Sequence, residues 1–217
     1  MSEPDTKHKI LDAAEQLFAQ EGFAATSLRA ITAAAGVNLA AVNYHFGSKD
    51  DLVRQVFRRR MDPINRERLE LLAEAEQGTA PPTLDSLIHA FLAPPLRQMA
   101  EPARAEIVWR LHGRLHEDPN ERWSALFWEL FRPVAERFLD AFARALPHLG
   151  RGELVWRMHF LVGVLVHTMS HGNRVNRFMD GTEGPPEPAQ AEALITAFVR
   201  AGLEAPPADL GEVPRAC

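Results

Sequence analysis

The chain is nearly without cysteine. Cys217, its last residue, stands alone, so no internal disulfide can close and packing must hold the fold. A lone terminal thiol points to no function. Long hydrophobic runs are missing too. The longest uncharged apolar one, Phe160 to Val166, is too short to cross a bilayer. No signal peptide opens the chain, so a cytoplasmic protein with no membrane partner is expected. No segment alternates apolar and polar residues as a half-buried strand does, and no internal repeat is present. The expected class is therefore all-α. A positive excess is also absent: the net charge is −5. The first fifty residues hold four bases (Lys7, Lys9, Arg29, Lys49) against six acids (Glu3, Asp5, Asp12, Glu15, Glu21, Asp50). Charge alone thus announces no nucleic-acid partner.

Catalytic and metal-binding sets are lacking in the same way. Ser170 lies between His167 and His171, but no nucleophile elbow or oxyanion loop accompanies it, so no enzyme is expected. His112 with His116, and His167 with His171, are pairs at the four-residue spacing that metals favour. No cysteine or carboxylate array completes either pair. No cofactor and no metal are expected.

Helix signals, by contrast, run almost throughout. A first helix is expected over about 5–20, with Ile10, Ala14, Leu17 and Phe18 on one stripe. Gly22 stops it, and Phe23 folds back on its last turn. The stretch from Thr26 to Asp51, TSLRAITAAAGVNLAAVNYHFGSKDD, then reads as two short helices, 27–34 and 39–46. Between them Gly36 supplies the left-handed turn and Asn38 can cap the second. Val42 and Phe46, four apart, share its inner face, and Ala40 and Ala41 let two helices approach. Asn43, Tyr44 and His45 are left to point outward. This is a helix-turn-helix with polar outward groups suited to DNA. A fourth helix starts at Ser48, with Asp51 as a capping-box partner. It runs to about Glu76 and is kinked or broken at Pro63. The six arginines at 54, 58, 59, 60, 66 and 68 add positive field only if that helix turns them outward.

Tyr44-His45-Phe46 followed by Gly47-Ser48-Lys49, with Gly22-Phe23, Thr26 and the Ala35-Gly36-Val37 turn, resembles the signature of the TetR-type transcriptional regulators. The likeness covers about Lys9 to Val56. The segment ILDAAEQLFAQEGFAATSLRAITAAAGVNLAAVNYHFGSK, and Trp156 to Phe160, further resemble the subgroup that represses fatty-acid oxidation genes and responds to long-chain fatty acids. The resemblance implies a homodimer on a double-stranded DNA operator, nucleoid-associated when bound. It implies Tyr44, His45 and Lys49 gripping phosphates. Thr26, Ser27 and Arg29 sit where the N-terminus of the second helix, with its free N–H groups, favours a phosphate. Asn43 and the exposed edge of Leu39-Ala40 would face the bases, with Asn38 beside them among the DNA-binding residues: Asn bonds adenine and Ala meets a thymine methyl. The DNA-binding domain is expected over 1–50, or about 5–62 with the start of the connecting helix.

After the linker at 77–82 the sequence changes character, and aromatics become frequent. Helices are expected near 83–93, 103–117, 120–146, 152–172 and 188–203. This region, 51–203, is the expected effector and dimerisation domain, with 204–217 a disordered tail. The helix over 152–172 is apolar on nearly all sides and must be covered from every direction. Its Leu161 and Leu165, with Leu194, Ala197, Phe198 and Ala201 of the last helix, are the expected twofold interface. The alternative is an ordinary intramolecular core. A small hydrophobic effector is expected between 103–117, 120–146 and 152–172. The expected lining is Phe91, Ile107, Leu111, Phe127, Trp128, Phe131, Met158 and Val162. Arg110 and Arg114 are either solvated, paired with Glu106, Glu117 or Asp118, or placed to receive an anionic headgroup. The expected function is a repressor released by a long-chain fatty acid or its acyl thioester. Rival readings are a drug-like compound or metal as effector, and an all-helical lipid carrier or enzyme.

Overall fold

The structure is a computed structural model that describes residues 3–78, 81–98, 102–116, 121–171, 175 and 186–208. Its elements are α1 (Glu3–Glu21), α2 (Leu28–Ala35), α3 (Leu39–Phe46), α4 (Lys49–Ala75), α5 (Leu84–Arg97), α6 (Pro102–His116), α7 (Arg122–Ala145), α8 (Arg151–His171) and α9 (Pro188–Glu204). Every regular element among the described residues is a helix, so the all-α expectation holds.

The short helices begin and end where their sequence says they must. Ser27 caps α2 by accepting the Ala30 N–H at 3.1 Å. Asn38 caps α3 by accepting the Ala41 N–H at 2.9 Å. Gly36 closes α2 at φ +64°, and the next N–H, from Val37, reaches back to the Thr32 carbonyl at 3.0 Å. Ser48 caps α4 by accepting the Asp51 N–H at 3.1 Å. Asp51 does not complete the expected box on the Ser48 backbone. Its carboxylate accepts the Ser48 hydroxyl at 2.6 Å instead.

Prolines were expected to cut the chain more than they do. Pro63 lies inside an unbroken α4, and Pro94 and Pro95 lie inside α5, which runs on to Arg97. A proline within a helix leaves the carbonyl four residues earlier without its donor. For Pro95 that carbonyl is Phe91, and Arg68 Nε supplies the missing donor at 2.9 Å. α5 is thereby tied to α4.

Two cores form. The N-terminal one joins α1, α2 and α3 to the first turns of α4 through Phe18, Phe23, Ile31, Val42, Phe46, Val56 and Phe57. Packing does not stop at residue 50. Leu111 and Leu115 of α6 and Trp123 of α7 enter this same core, with Trp123 at 5.7 Å from the Phe23 ring. The second core joins the end of α4 to α5, α7, α8 and α9 around Leu72, Phe91, Phe138, Phe142 and Leu154.

Residues 204–208, expected to open the tail, are held in place. Arg157 Nη1 donates to the Gly202, Leu203 and Ala205 carbonyls, and its Nη2 to that of Pro206. The Ala208 N–H reaches Glu153 at 2.9 Å. Cys217 lies outside the described residues, as do Glu117, Asp118 and the side chains of Glu106, His116 and His171. One member of each expected histidine pair, and the acid partners of Arg110 and Arg114, therefore fall there.

Candidate nucleic-acid interface and buried cavity

α2 and α3 meet across the Gly36 turn, with Ile31, Val42 and Phe46 buried beneath them. That leaves Ser27, Arg29, Asn38, Leu39, Ala40, Asn43 and Tyr44 exposed together on the outer side. Tyr44, the only tyrosine of the chain, is 74% exposed. Its ring stands edge-on to His45 at 5.1 Å. His45 is half-buried and lines an open groove with Lys7, Gln55, Arg58 and Arg66.

Two of the expected phosphate contacts are otherwise engaged. Thr26 is fully buried. Its hydroxyl donates toward the Gly22 carbonyl at 2.8 Å and the Leu17 carbonyl at 3.2 Å. It ties the end of α1 to the start of α2 and cannot reach a phosphate, which corrects the expectation for this residue. Lys49 is half-buried and donates to the Ala24 carbonyl at 3.3 Å. Burial, then the nearby Arg122, lowers its pKa.

Three of the six arginines of α4 are held by acids. Arg59 pairs with Asp12, and Arg60 with the buried Glu15 through Nε at 2.6 Å. Arg54 reaches Asp51 at 2.5 Å. Arg58 and Arg66 stay exposed. The positive field over α2–α3 is correspondingly weak, and uncharged donors and helix N-termini dominate the face.

Between α4, α5, α6, α7 and α8 lies a cavity of about 50 Å³. It holds a few water molecules at most, since each needs upward of roughly 10–15 Å³. Five expected residues bear on it directly or close by. Phe91, Leu111, Phe127, Phe131 and Val162 line it. Ile107 packs instead beside the N-terminal core and Met158 in the second core. Trp128 is turned outward and 52% exposed, so it is no part of the lining. Arg110 is exposed and outside the lining. Arg114 is spent on the end of α1, where its Nη2 donates to the Gln20 carbonyl at 2.6 Å. Neither expected cation faces the cavity.

The side chains that do were hidden along α4. Phe57, Arg60, Met61, Ile64 and Arg68 recur at helical spacing on one face and form a wall. The available signal was an arginine on an otherwise apolar stripe. Arg68 is 3% exposed, and burial pushes its pKa down to about 9. Its guanidinium lies 4.2 Å from the Phe91 ring centroid.

The expected interface residues divide. Leu161 and Leu165 are buried in the protomer's own second core, because their spacing puts them on the packed side of α8, whose neighbours are α6, α7 and α9, rather than outward. They are corrected to core residues, and Leu165 also lines the cavity. The outward side of α8 shows Trp156 at 62% and Phe160 at 59% exposure. On α9, Leu194 and Phe198 are 67% and 70% exposed, and Ala197 and Ala201 lie exposed beside them.

An all-α fold with a capped helix-turn-helix and an exposed second helix defines a DNA-binding protein. Two family descriptions match the chain: the bacterial regulatory proteins of the tetR family over residues 10–56, and the tetracyclin repressor-like C-terminal domain over residues 89–202. The chain belongs to the TetR family, whose members are DNA-binding transcriptional regulators rather than enzymes. It is similar to the HTH-type transcriptional repressor Rv3405c of Mycobacterium tuberculosis (strain ATCC 25618 / H37Rv), at 34% identity over 140 residues, 58% of this chain and 72% of that protein. Against other curated regulators the match is shorter, spanning 40%, 38% and 25% of their lengths. Among solved structures, the fatty acid degradation regulator FadR from Bacillus halodurans has a TM-score of 0.60 at 16% identity, covering 92% of this chain and 95% of that one. A complex of SmeT with triclosan has a TM-score of 0.58 at 22% identity, covering 96% and 99%. At such identities these two likenesses speak for the fold.

Proposed function

We propose that the protein represses its targets as a homodimer that reads a palindromic operator and is released by a small hydrophobic effector. Two copies of α3 would occupy half-sites about 34 Å apart, one turn of DNA. The observation that carries this reading is the pair of bare apolar faces on α8 and α9. Exposed Trp156, Phe160, Leu194 and Phe198 call for cover, and a twofold contact covers them with their own copies. The weak charge of α2–α3 supports the same conclusion, because one such module has little hold on phosphate and two linked modules have more.

Phe198→Glu should therefore yield a monomer or an unfolded chain and abolish the operator shift. A stable monomer of the wild type in light scattering would refute the dimer. On the DNA side, Tyr44→Ala weakens binding alike on all sequences, and Lys49, which must exchange the Ala24 carbonyl for a phosphate, lowers the salt slope by about one unit when replaced by Ala. Asn43→Ala relaxes one base pair at a cost of roughly 1–3 kcal/mol there. Unchanged operator affinity in all three variants refutes the assigned face.

The effector we favour is a long-chain fatty acid or acyl thioester. Its support is the resemblance of the N-terminal segment to fatty-acid-responsive regulators, together with the aromatic cavity wall. Each buried methylene contributes about 0.8 kcal/mol, so release of the operator complex should strengthen with chain length as acids are titrated. The cavity must widen to admit such a chain. Its present compactness favours a second reading, a compact drug-like compound. Equal release by short and long chains, or by neither, would promote that second reading.

A further inference from the structure

Two arginines face the cavity, and their surroundings differ. Arg60 is neutralised by Glu15. Arg68, buried deeper, has neutral partners among the described residues. Its Nε donates to the Phe91 carbonyl at 2.9 Å and its Nη1 to Asn65 Oδ1 at 3.3 Å. The faces of Phe91 and Phe131 lie 4.2 Å and 5.8 Å from its guanidinium carbon. Among the described residues no carboxylate pairs with it, and its Nη2 has no hydrogen-bond partner. A buried cation without a counter-charge is costly to maintain. Nothing in the packing calls for it, since a neutral donor would serve the Phe91 carbonyl.

We infer that the effector is a free carboxylic acid whose carboxylate is received by Arg68, through Nη2 and the remaining Nη1 proton, with its apolar body against the aromatic wall of the cavity. This rests on the cavity being the effector site. A guanidinium presents two parallel N–H groups that match a carboxylate edge to edge. The ring faces of Phe91 and Phe131 hold that fork in one plane. The void beside it takes the headgroup, and the apolar body enters as neighbouring side chains part. An alcohol of the same body has no charge to offer and leaves the guanidinium as it was.

The test is calorimetric titration of the full chain with matched pairs. Decanoate and palmitate are set against decanol and hexadecanol, and 2-naphthoate against 2-naphthylmethanol. The aliphatic and aromatic arms distinguish the two sources of a carboxylate. The acid should bind at least tenfold tighter than its alcohol in whichever arm binds. Arg68→Gln should remove that ratio and leave alcohol affinity unchanged, and Arg68→Lys should keep part of it. Equal affinities of acid and alcohol in the wild type, or an unchanged ratio in Arg68→Gln, overturn the inference while the cavity remains an effector site. Failure of every acid and every alcohol to bind overturns the cavity reading itself. Should Arg68→Gln not fold, the wild-type ratio and Arg68→Lys decide.

Discussion

The two cores of this protein are built to different standards. Around Phe23 the N-terminal core is closed: Phe18, Phe57 and Trp123 surround its ring at 5.4, 5.5 and 5.7 Å. Its buried acid, Glu15, is met by Arg60. Around Phe131 the second core is open. It borders a void and contains a buried arginine with no acid. A core that must hold α2 and α3 in one geometry on DNA is filled and charge-balanced. The core proposed to admit an effector keeps space and an unmet charge.

The largest effect that could break this contrast is truncation of the two central rings. Phe23→Ala should cost about 3–5 kcal/mol, as for a large side chain removed from a tight core. Phe131→Ala should cost clearly less, because one side of the ring already faces empty space. Urea denaturation measures both, and equal losses would dissolve the distinction. A middle-sized effect tests the turn. Gly36→Ala meets no neighbouring atom within 4 Å, so its penalty is conformational alone, about 1–2 kcal/mol for a left-handed residue bearing a Cβ. A loss in thermal stability without any change in operator specificity is the expected outcome. The smallest effect has the opposite sign. Arg68→Met removes the unmet charge and should stabilise the protein at pH 7 by on the order of 1 kcal/mol. Folding lowers the Arg68 pKa to about 9, so above that value the unfolded chain holds the proton more firmly than the folded one. The destabilising contribution of the charge is full below about pH 9 and fades as pH rises beyond it. The advantage of Arg68→Met in urea denaturation should accordingly shrink between pH 7 and pH 10. A less stable Arg68→Met at pH 7 would mean that the hydrogen bonds Arg68 gives to Phe91 and Asn65 outweigh the cost of its buried charge.

The helix-turn-helix was legible because its determinants are local. Gly36, Asn38 and Ser48 act within a few residues of themselves, and Val42 with Phe46 needs only the helical repeat. Thr26 departs from the expectation because its hydroxyl turns back to the chain before it. Its partners, the Leu17 and Gly22 carbonyls, are on the preceding helix and its end, and sequence does not say which face of a threonine is covered. Leu161 and Leu165 were misplaced because α8 is apolar on most of its circumference. Pattern alone could not tell the packed stripe from the stripe bearing Trp156 and Phe160. The role of Arg68 was out of reach. Its acceptor exists because Pro95 withholds a donor on another helix, and the void beside it is a property of five helices together.

Phe127 belongs to both cores. It stacks on Phe131 at 5.9 Å in the cavity wall and meets Phe57 edge-on at 5.6 Å beside the N-terminal core. Reader and sensor are consequently not beads on a string. Neither core can melt alone without baring one face of this ring, so heat should take the protomer apart as a single cooperative unit.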